Sequence, residues 1–220
     1  SEARKILRLY VPRIFAFDLS NVTLLLGTII GSTLVSGSIT ALNQAYNLQS
    51  VPVGIFGYSI AVAAFPTLSE QFAKKNRLGF IATLRKSIEQ TLLFIIPLSI
   101  LTLLYRAYVV RLILGAGRFS WEDTIRTFEI LGIFSFSFFS QCLTTLLARA
   151  FFARHNTKVP VMINVISVVI NTVAGVILGR LYGVMGLTVA FVLASIFNAL
   201  TLFVFLKKDL AADLELGEAP

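Results

Sequence analysis

The sequence predicts an all-α integral membrane protein with a six-transmembrane-helix bundle. Of its 220 residues, 56% are hydrophobic and only 14% are charged, whereas an ordinary soluble domain has about 25% charged residues. No side chain from Leu19 to Ser69 is charged, and this run is long enough for two crossings of roughly 20 residues each. A water-soluble core of this composition would leave large apolar patches exposed.

Apolar runs bounded by charged residues predict six spans. Lipid cannot satisfy backbone hydrogen-bonding groups, so we expect each span to be helical. The predicted spans form one lobe over residues 1–208, and a polar tail follows over residues 209–220. In order, they cover residues 10–34, 40–68, 87–108, 128–147, 159–178 and 183–206.

The second span is the least regular. Pro52 and Pro66 each remove a backbone donor, and Gly54 and Gly57 loosen the helix between the two prolines. We therefore expect a bend in this span, with these four residues as structural or hinge positions.

Charged residues mark the limits of the later spans. Glu122 and Asp123 precede the fourth span in a predicted external loop, where carboxylates favour the start of a helix. Arg154 and Lys158 lie between the fourth and fifth spans, and Arg180 lies between the fifth and sixth.

Lysine and arginine residues predict the orientation. Fourteen of the 19 lie on the side shared by both ends, and five lie on the opposite side. The positive-inside rule then places both ends in the cytoplasm. Topology and anionic lipid headgroups account for the net charge of +8, which is therefore no evidence for nucleic-acid binding.

Motifs for enzymatic chemistry are not found in the sequence. Cys142 is the only cysteine and His155 the only histidine, which excludes both an internal disulfide and a Cys/His metal site. We find no catalytic cluster and predict no cofactor. Ser1 is not an initiator Met, and no signal-peptide pattern follows it. We therefore expect the chain to be a piece of a longer protein.

Asp18 is the clearest charged residue at membrane depth. Such residues usually face the bundle interior because burying an ionised side chain in lipid is costly. Two interpretations remain open: Asp18 lines a cavity for a cation or a substrate group, or it pairs with an arginine such as Arg13.

Four motifs in the right order carry a family resemblance. The segment YNLQSVPVGIFGYSIAVAAFPTLSEQ, starting at Tyr46, resembles the second-lobe signature of the MurJ/MviN lipid II flippases of the MOP transporter superfamily. LILGAGRFSWEDT, ARAFFARHNTKVPV and GVMGLTVAFVLASIFNAL, starting at Leu112, Ala148 and Gly183, resemble later family patterns. The resemblance spans nearly the whole chain and implies the C-terminal lobe of such a flippase.

The resemblance also implies a function. Such flippases move undecaprenyl-pyrophosphate-linked peptidoglycan precursor across the bacterial cytoplasmic (inner) membrane by alternating access. The implied partners are the bilayer, the lipid-linked precursor and an N-terminal lobe of the same protein. No bond is broken, so an enzyme is not expected. Two alternatives stay open: a MOP flippase for another prenyl-linked glycan, and a non-transporting scaffold for cell-wall enzymes.

Site residues follow from the same resemblance. The family's helix-8 motif ADRLMExP aligns with Ala45 to Pro52, so Asn47 stands in place of the arginine and Ser50 in place of the glutamate. Neutral groups can hydrogen-bond a phosphate or sugar but supply no charge-assisted contact. The implied substrate-binding residues are Asn47, Gln49, Ser50, Arg13 and Asp18. Of the family's suspected cation site only Asn171 is retained, because glycines occupy the two acidic positions.

Overall fold

The computed structural model describes residues 37–115 and 121–217, with side chains described as far as Ala211. Every regular element in these ranges is helical, which confirms the predicted all-α fold. The predicted span 10–34, with Arg13 and Asp18, lies outside the described residues. The helices are α1 (Ser38–Pro52), a π-helical segment (Val53–Tyr58), α2 (Ser59–Ala73), α3 (Arg77–Leu114), α4 (Trp121–Ser135), α5 (Phe138–Ala153) and α6 (Lys158–Gly217).

The segment Ser38–Ala73 is one continuous helix of 36 residues. Pro52 ends α1 with helical backbone angles (φ −62°, ψ −38°), and the π-helical segment follows it directly. The proline has no N–H to donate within the helix, and the wider π turns keep the chain helical beyond it. The irregularity predicted here is thus a π-helical segment, while a hinge motion stays a prediction.

Helix α3 contains 38 residues. At 1.5 Å per residue it is about 57 Å long, so it exceeds a hydrocarbon core of about 30 Å. The Asn76 side chain accepts a hydrogen bond from the Gly79 backbone N–H (3.0 Å) and caps its start. The predicted span 87–108 lies inside this helix, and α3 therefore reaches past the membrane boundary at its beginning.

Helices α4 and α5 meet at a bend of 48°. The sequence predicts a single uninterrupted span at 128–147, and the structure breaks it at Phe136 and Ser137. The N–H groups of these two residues donate to the carbonyls of Ile133 (3.2 Å) and Phe134 (2.8 Å), three residues earlier. This tighter turn interrupts the α-helical pattern.

Helix α6 folds back on itself at Gly183. This residue has φ +63° and ψ −141°, a conformation that favours glycine. The halves before and after it run antiparallel, since Gly186 approaches the Leu178 carbonyl and Asn198 hydrogen-bonds Asn164 across the pair.

Among the described residues, three helical stretches are long and apolar enough to cross a membrane. The bent pair α4 and α5 adds a fourth. Because the hairpin at Gly183 divides the last stretch, its two halves match the separate spans predicted at 159–178 and 183–206.

Contacts between loops define the two ends of the bundle. At one end, the Arg154 guanidinium lies 3.8 Å from the Asp209 carboxylate, and the Phe72 and His155 rings are 6.0 Å apart. At the other end, Gly37 lies beside Arg126. Loops predicted to share a side of the membrane therefore do meet.

Candidate functional site

A polar cavity of about 380 Å³ lies between α1, α5 and both halves of α6. Its lining is mostly amide, hydroxyl and small side chains, and it includes no charged residue. The lining residues are Tyr46, Gln49, Ser50, Val53, Gly54, Tyr58, Gln141, Thr144, Thr145, Asn164, Ser167, Val168, Asn171, Phe191, Ala194, Ser195 and Asn198. So many polar groups inside apolar helices point to an environment other than lipid.

Hydrogen bonds at the α4–α5 break position one wall of this cavity. The Ser137 hydroxyl donates to the Phe134 carbonyl (2.7 Å) and accepts from Gln141 Nε2 (2.7 Å). Gln141 Nε2 also donates to Gln49 Oε1 (3.0 Å). The break in the helix is thus tied to a glutamine of α1, which is itself buried.

Three buried polar atoms in the cavity wall lack a partner within the described part of the chain. They are Gln49 Nε2, Thr144 Oγ1 and Asn198 Oδ1. Together they offer an amide donor, a hydroxyl and an amide acceptor. Because an unpaired buried polar group costs about 1–3 kcal/mol, these atoms favour a polar guest, water or solute, in the cavity.

Side-chain hydrogen bonds also hold the far wall. Asn198 Nδ2 donates to Asn164 Oδ1 (3.1 Å) and links the two halves of α6. The hydroxyls of Ser140 and Ser195 lie 2.9 Å apart and link α5 to α6. Both contacts fix side chains at the cavity rather than elsewhere in the bundle.

A cation lies at the edge of the cavity. The Arg149 guanidinium carbon is 4.9 Å from the centre of the Tyr58 ring, and Tyr58 lines the cavity. An aromatic face attracts a cation at this distance. The neutral lining therefore has a positive charge next to it, on the residue two positions after the predicted fourth span.

The residues predicted from sequence divide into three groups. Gln49, Ser50, Gly54 and Asn171 line the cavity together. Asn47 is exposed and does not line it, so a substrate contact of Asn47 stays a prediction. Arg13 and Asp18 lie outside the described residues.

The remaining hinge positions are away from the cavity lining. Pro52 and Pro66 lie within α1 and α2. Gly57 is buried, and a Cβ placed on it would lie 2.6 Å from Cys142 Sγ. Its small size therefore has a packing reason, which is close contact with α5.

Several cavity residues were missed from sequence, although a signal existed. Asn164, Ser167 and Asn171 recur at helical spacing in an otherwise apolar helix, and so do Ser195 and Asn198. Side chains three, four and seven residues apart share a helix face. A polar stripe within an apolar span marks a face turned toward a cavity or another helix.

Comparison with known proteins gives one consistent family. The family model described as "Lipid II flippase MurJ" matches residues 1–218. A probable lipid II flippase MurJ of Borreliella burgdorferi is 28% identical over 206 residues, covering 93% of this chain and 41% of that protein. The corresponding Haemophilus influenzae protein is 30% identical over 210 residues, with coverage of 93% and 41%. The chain thus spans about two fifths of the length of these curated relatives.

Solved structures show the same fold. A lipid II flippase MurJ in an inward closed conformation superposes with a TM-score of 0.86 at 24% identity, over 94% of this chain and 45% of that one. A MATE structure in the bent conformation gives a TM-score of 0.78 at 16% identity, over 93% of this chain and 45% of that one.

Proposed function

The chain belongs to the lipid II flippase MurJ family, and from this premise we propose that it is one lobe of a flippase for a lipid-linked peptidoglycan precursor. In this proposal the lobe works with a second, N-terminal lobe by alternating access, and transport breaks no bond. The motifs from Tyr46 onward led to the same family from sequence.

The polar cavity carries this proposal. A membrane transporter needs a hydrated path for the polar part of its cargo, lined by groups that replace water. Gln49 Nε2, Thr144 Oγ1 and Asn198 Oδ1 are buried without described partners, and all three residues line the cavity. Sugar hydroxyls and peptide amides are the cargo groups that such atoms can hydrogen-bond.

Charge balance assigns different roles to neutral and basic residues. Gln49 and Ser50 orient a phosphate or sugar without neutralising it. We assign neutralisation to Arg149, which Tyr58 holds beside the cavity, together with Arg13 and cations of the N-terminal lobe. Asp18 stays a proposed substrate contact, and Asn47 a proposed contact outside the cavity.

A coupling cation is a second part of the proposal. Asn171 lines the cavity beside Asn164 and Asn198, and amide oxygens are suitable ligands for hard cations. We propose that Asn171 contributes to a weak site of this type.

We further propose the bacterial cytoplasmic membrane as the location, with both ends of this segment in the cytoplasm. The basic residues of the loops at 74–77 and 154–158 support this orientation. The contacts between Phe72 and His155 and between Arg154 and Asp209 place these loops at one end of the bundle.

Complementation tests the function. The full-length protein containing this chain is expressed in a bacterium depleted of its own lipid II flippase, with membrane insertion checked by immunoblot. We expect growth and normal cell shape. Failure despite correct insertion would contradict the proposal. Rescue of a strain that lacks a flippase for another prenyl-linked glycan, with no rescue here, would favour the first alternative. Co-purification of cell-wall enzymes without rescue would favour the scaffold.

A further inference from the structure

A second concave surface lies far along the sequence from the polar cavity, at the end of the bundle that carries Arg154 and Asp209. It is a groove of about 530 Å³ between the start of α3 and the end of α6. Leu84 and Leu206 are buried members of the core at its floor, and Ile81, Ile88 and Phe203 line its sides. The volume is within the range of about 300–1,000 Å³ typical of small-molecule sites.

The groove lies at the predicted membrane boundary. Its α3 residues, from Ile81 to Glu89, straddle the start of the third predicted span at residue 87. Its α6 residues, from Phe203 to Ala211, straddle the end of the sixth at residue 206. An occupant therefore meets hydrocarbon at one end of the groove and headgroups at the other.

Basic side chains form the lip of the groove on the headgroup side. Arg85 Nε lies 2.8 Å from Glu89 Oε1, so that arginine is already paired. Lys207 lines the groove, and among the side chains that the structure describes it forms no ion pair. An apolar groove with a cation at its polar end complements an acyl chain that carries an anionic headgroup.

We propose that this groove binds one anionic phospholipid of the adjacent leaflet. Its acyl chain lies along Ile81, Ile88 and Phe203, and its phosphate contacts the Lys207 ammonium. The volume also suits an acyl chain better than a protein helix, because two turns of a helix, about 11 Å long and 10 Å wide, occupy more space than the groove offers. This inference is independent of the cargo in the polar cavity.

Lipid titration of the delipidated full-length protein, followed by native mass spectrometry, tests the site. Dioleoylphosphatidylglycerol and dioleoylphosphatidylcholine are compared at equal concentration. We expect one phosphatidylglycerol to be retained about fivefold more tightly than phosphatidylcholine, because one lysine near an anionic headgroup gives a preference of this order. Lys207→Gln should abolish the preference.

Lys208→Gln is the matched control, since Lys208 carries the same charge one residue later and does not line the groove. It should change the preference by less than about twofold. Ile81→Trp should weaken retention of both lipids by filling the groove. Equal effects of the two lysine variants would indicate diffuse surface attraction and overturn the site. No preference in the unmodified protein would also overturn it, and would be expected if another protein segment or a second copy fills the groove.

Discussion

Gln49 Oε1 in α1 accepts a hydrogen bond from Gln141 Nε2 in α5 at 3.0 Å. The same Gln141 nitrogen donates to Ser137, at the break between α4 and α5. One amide group therefore connects the helix that carries the family motif to the bend in its neighbour. Its other end, Gln49 Nε2, stays available to the cavity.

Replacing Gln49 tests whether this connection matters for transport. Gln49→Met keeps the length of the side chain but removes both the acceptor for Gln141 and the unpaired donor. We expect a several-fold loss of complementation and a destabilisation of about 1 kcal/mol from the lost hydrogen bond, measured by growth titre and thermal melting. Gln44→Met is the matched control, on the same helix but outside the cavity lining. Similar losses in both variants would refute a specific role for Gln49.

The two glycines of the π-helical segment should respond differently to alanine. At Gly57, an added Cβ would lie 2.6 Å from Cys142 Sγ and 3.0 Å from its Cα. Overpacking of this kind costs about 1–3 kcal/mol, so Gly57→Ala should lower the melting temperature.

At Gly54 nothing lies within 4 Å of the added Cβ. Gly54→Ala should therefore be neutral or slightly stabilising, since alanine favours a helix. If flexibility is the function of both glycines, both variants should instead reduce transport equally without loss of stability.

The hydrogen bond between Asn164 and Asn198 (3.1 Å) should couple the two halves of α6. Each single substitution by leucine leaves a buried amide without its partner, so the double variant should lose less stability than the two singles combined. Couplings of this kind in membranes average about 0.6 kcal/mol.

Asn171 supplies the control for that cycle. It lines the same cavity without a described side-chain hydrogen bond. Asn171→Leu combined with Asn198→Leu should be additive in chemical unfolding. An additive result for Asn164 and Asn198 would show that their contact contributes nothing.

Tyr58 is expected to act through its ring rather than its hydroxyl. The Arg149 guanidinium carbon is 4.9 Å from the ring centre, a geometry worth about 0.5–1 kcal/mol at an exposed site. Tyr58→Phe should keep complementation at the wild-type level, whereas Tyr58→Leu should reduce it by about two- to fivefold. A loss in the phenylalanine variant would assign the function to the hydroxyl instead.

The helices were predictable from sequence because lipid imposes a simple requirement. Every backbone polar group within the hydrocarbon must be paired inside its own helix, so apolar runs between charged residues indicated spans. The break at Phe136 and Ser137 was not predictable in this way. No proline or glycine marks it, and its hydrogen bonds involve Gln49, which is 88 residues away in sequence from Ser137.

The site was predictable only in part for a related reason. Family motifs led to Gln49, Ser50 and Asn171, which share one cavity. Thr144 and Asn198 complete it through the packing of α5 and α6, and packing partners are not written in local sequence. The spacing of polar residues along those helices was the available signal.

Site-specific photocrosslinking tests the central claim most directly. A benzoylphenylalanine probe at Ser50, on the cavity wall, is compared with one at Leu104, which is 69% exposed on the outer face of α3. The full-length protein is irradiated in membranes that contain radiolabelled lipid-linked precursor. We predict a crosslink to the precursor from position 50 and none above background from position 104. Equal labelling at both positions, or labelling only at 104, would contradict a substrate path through this cavity.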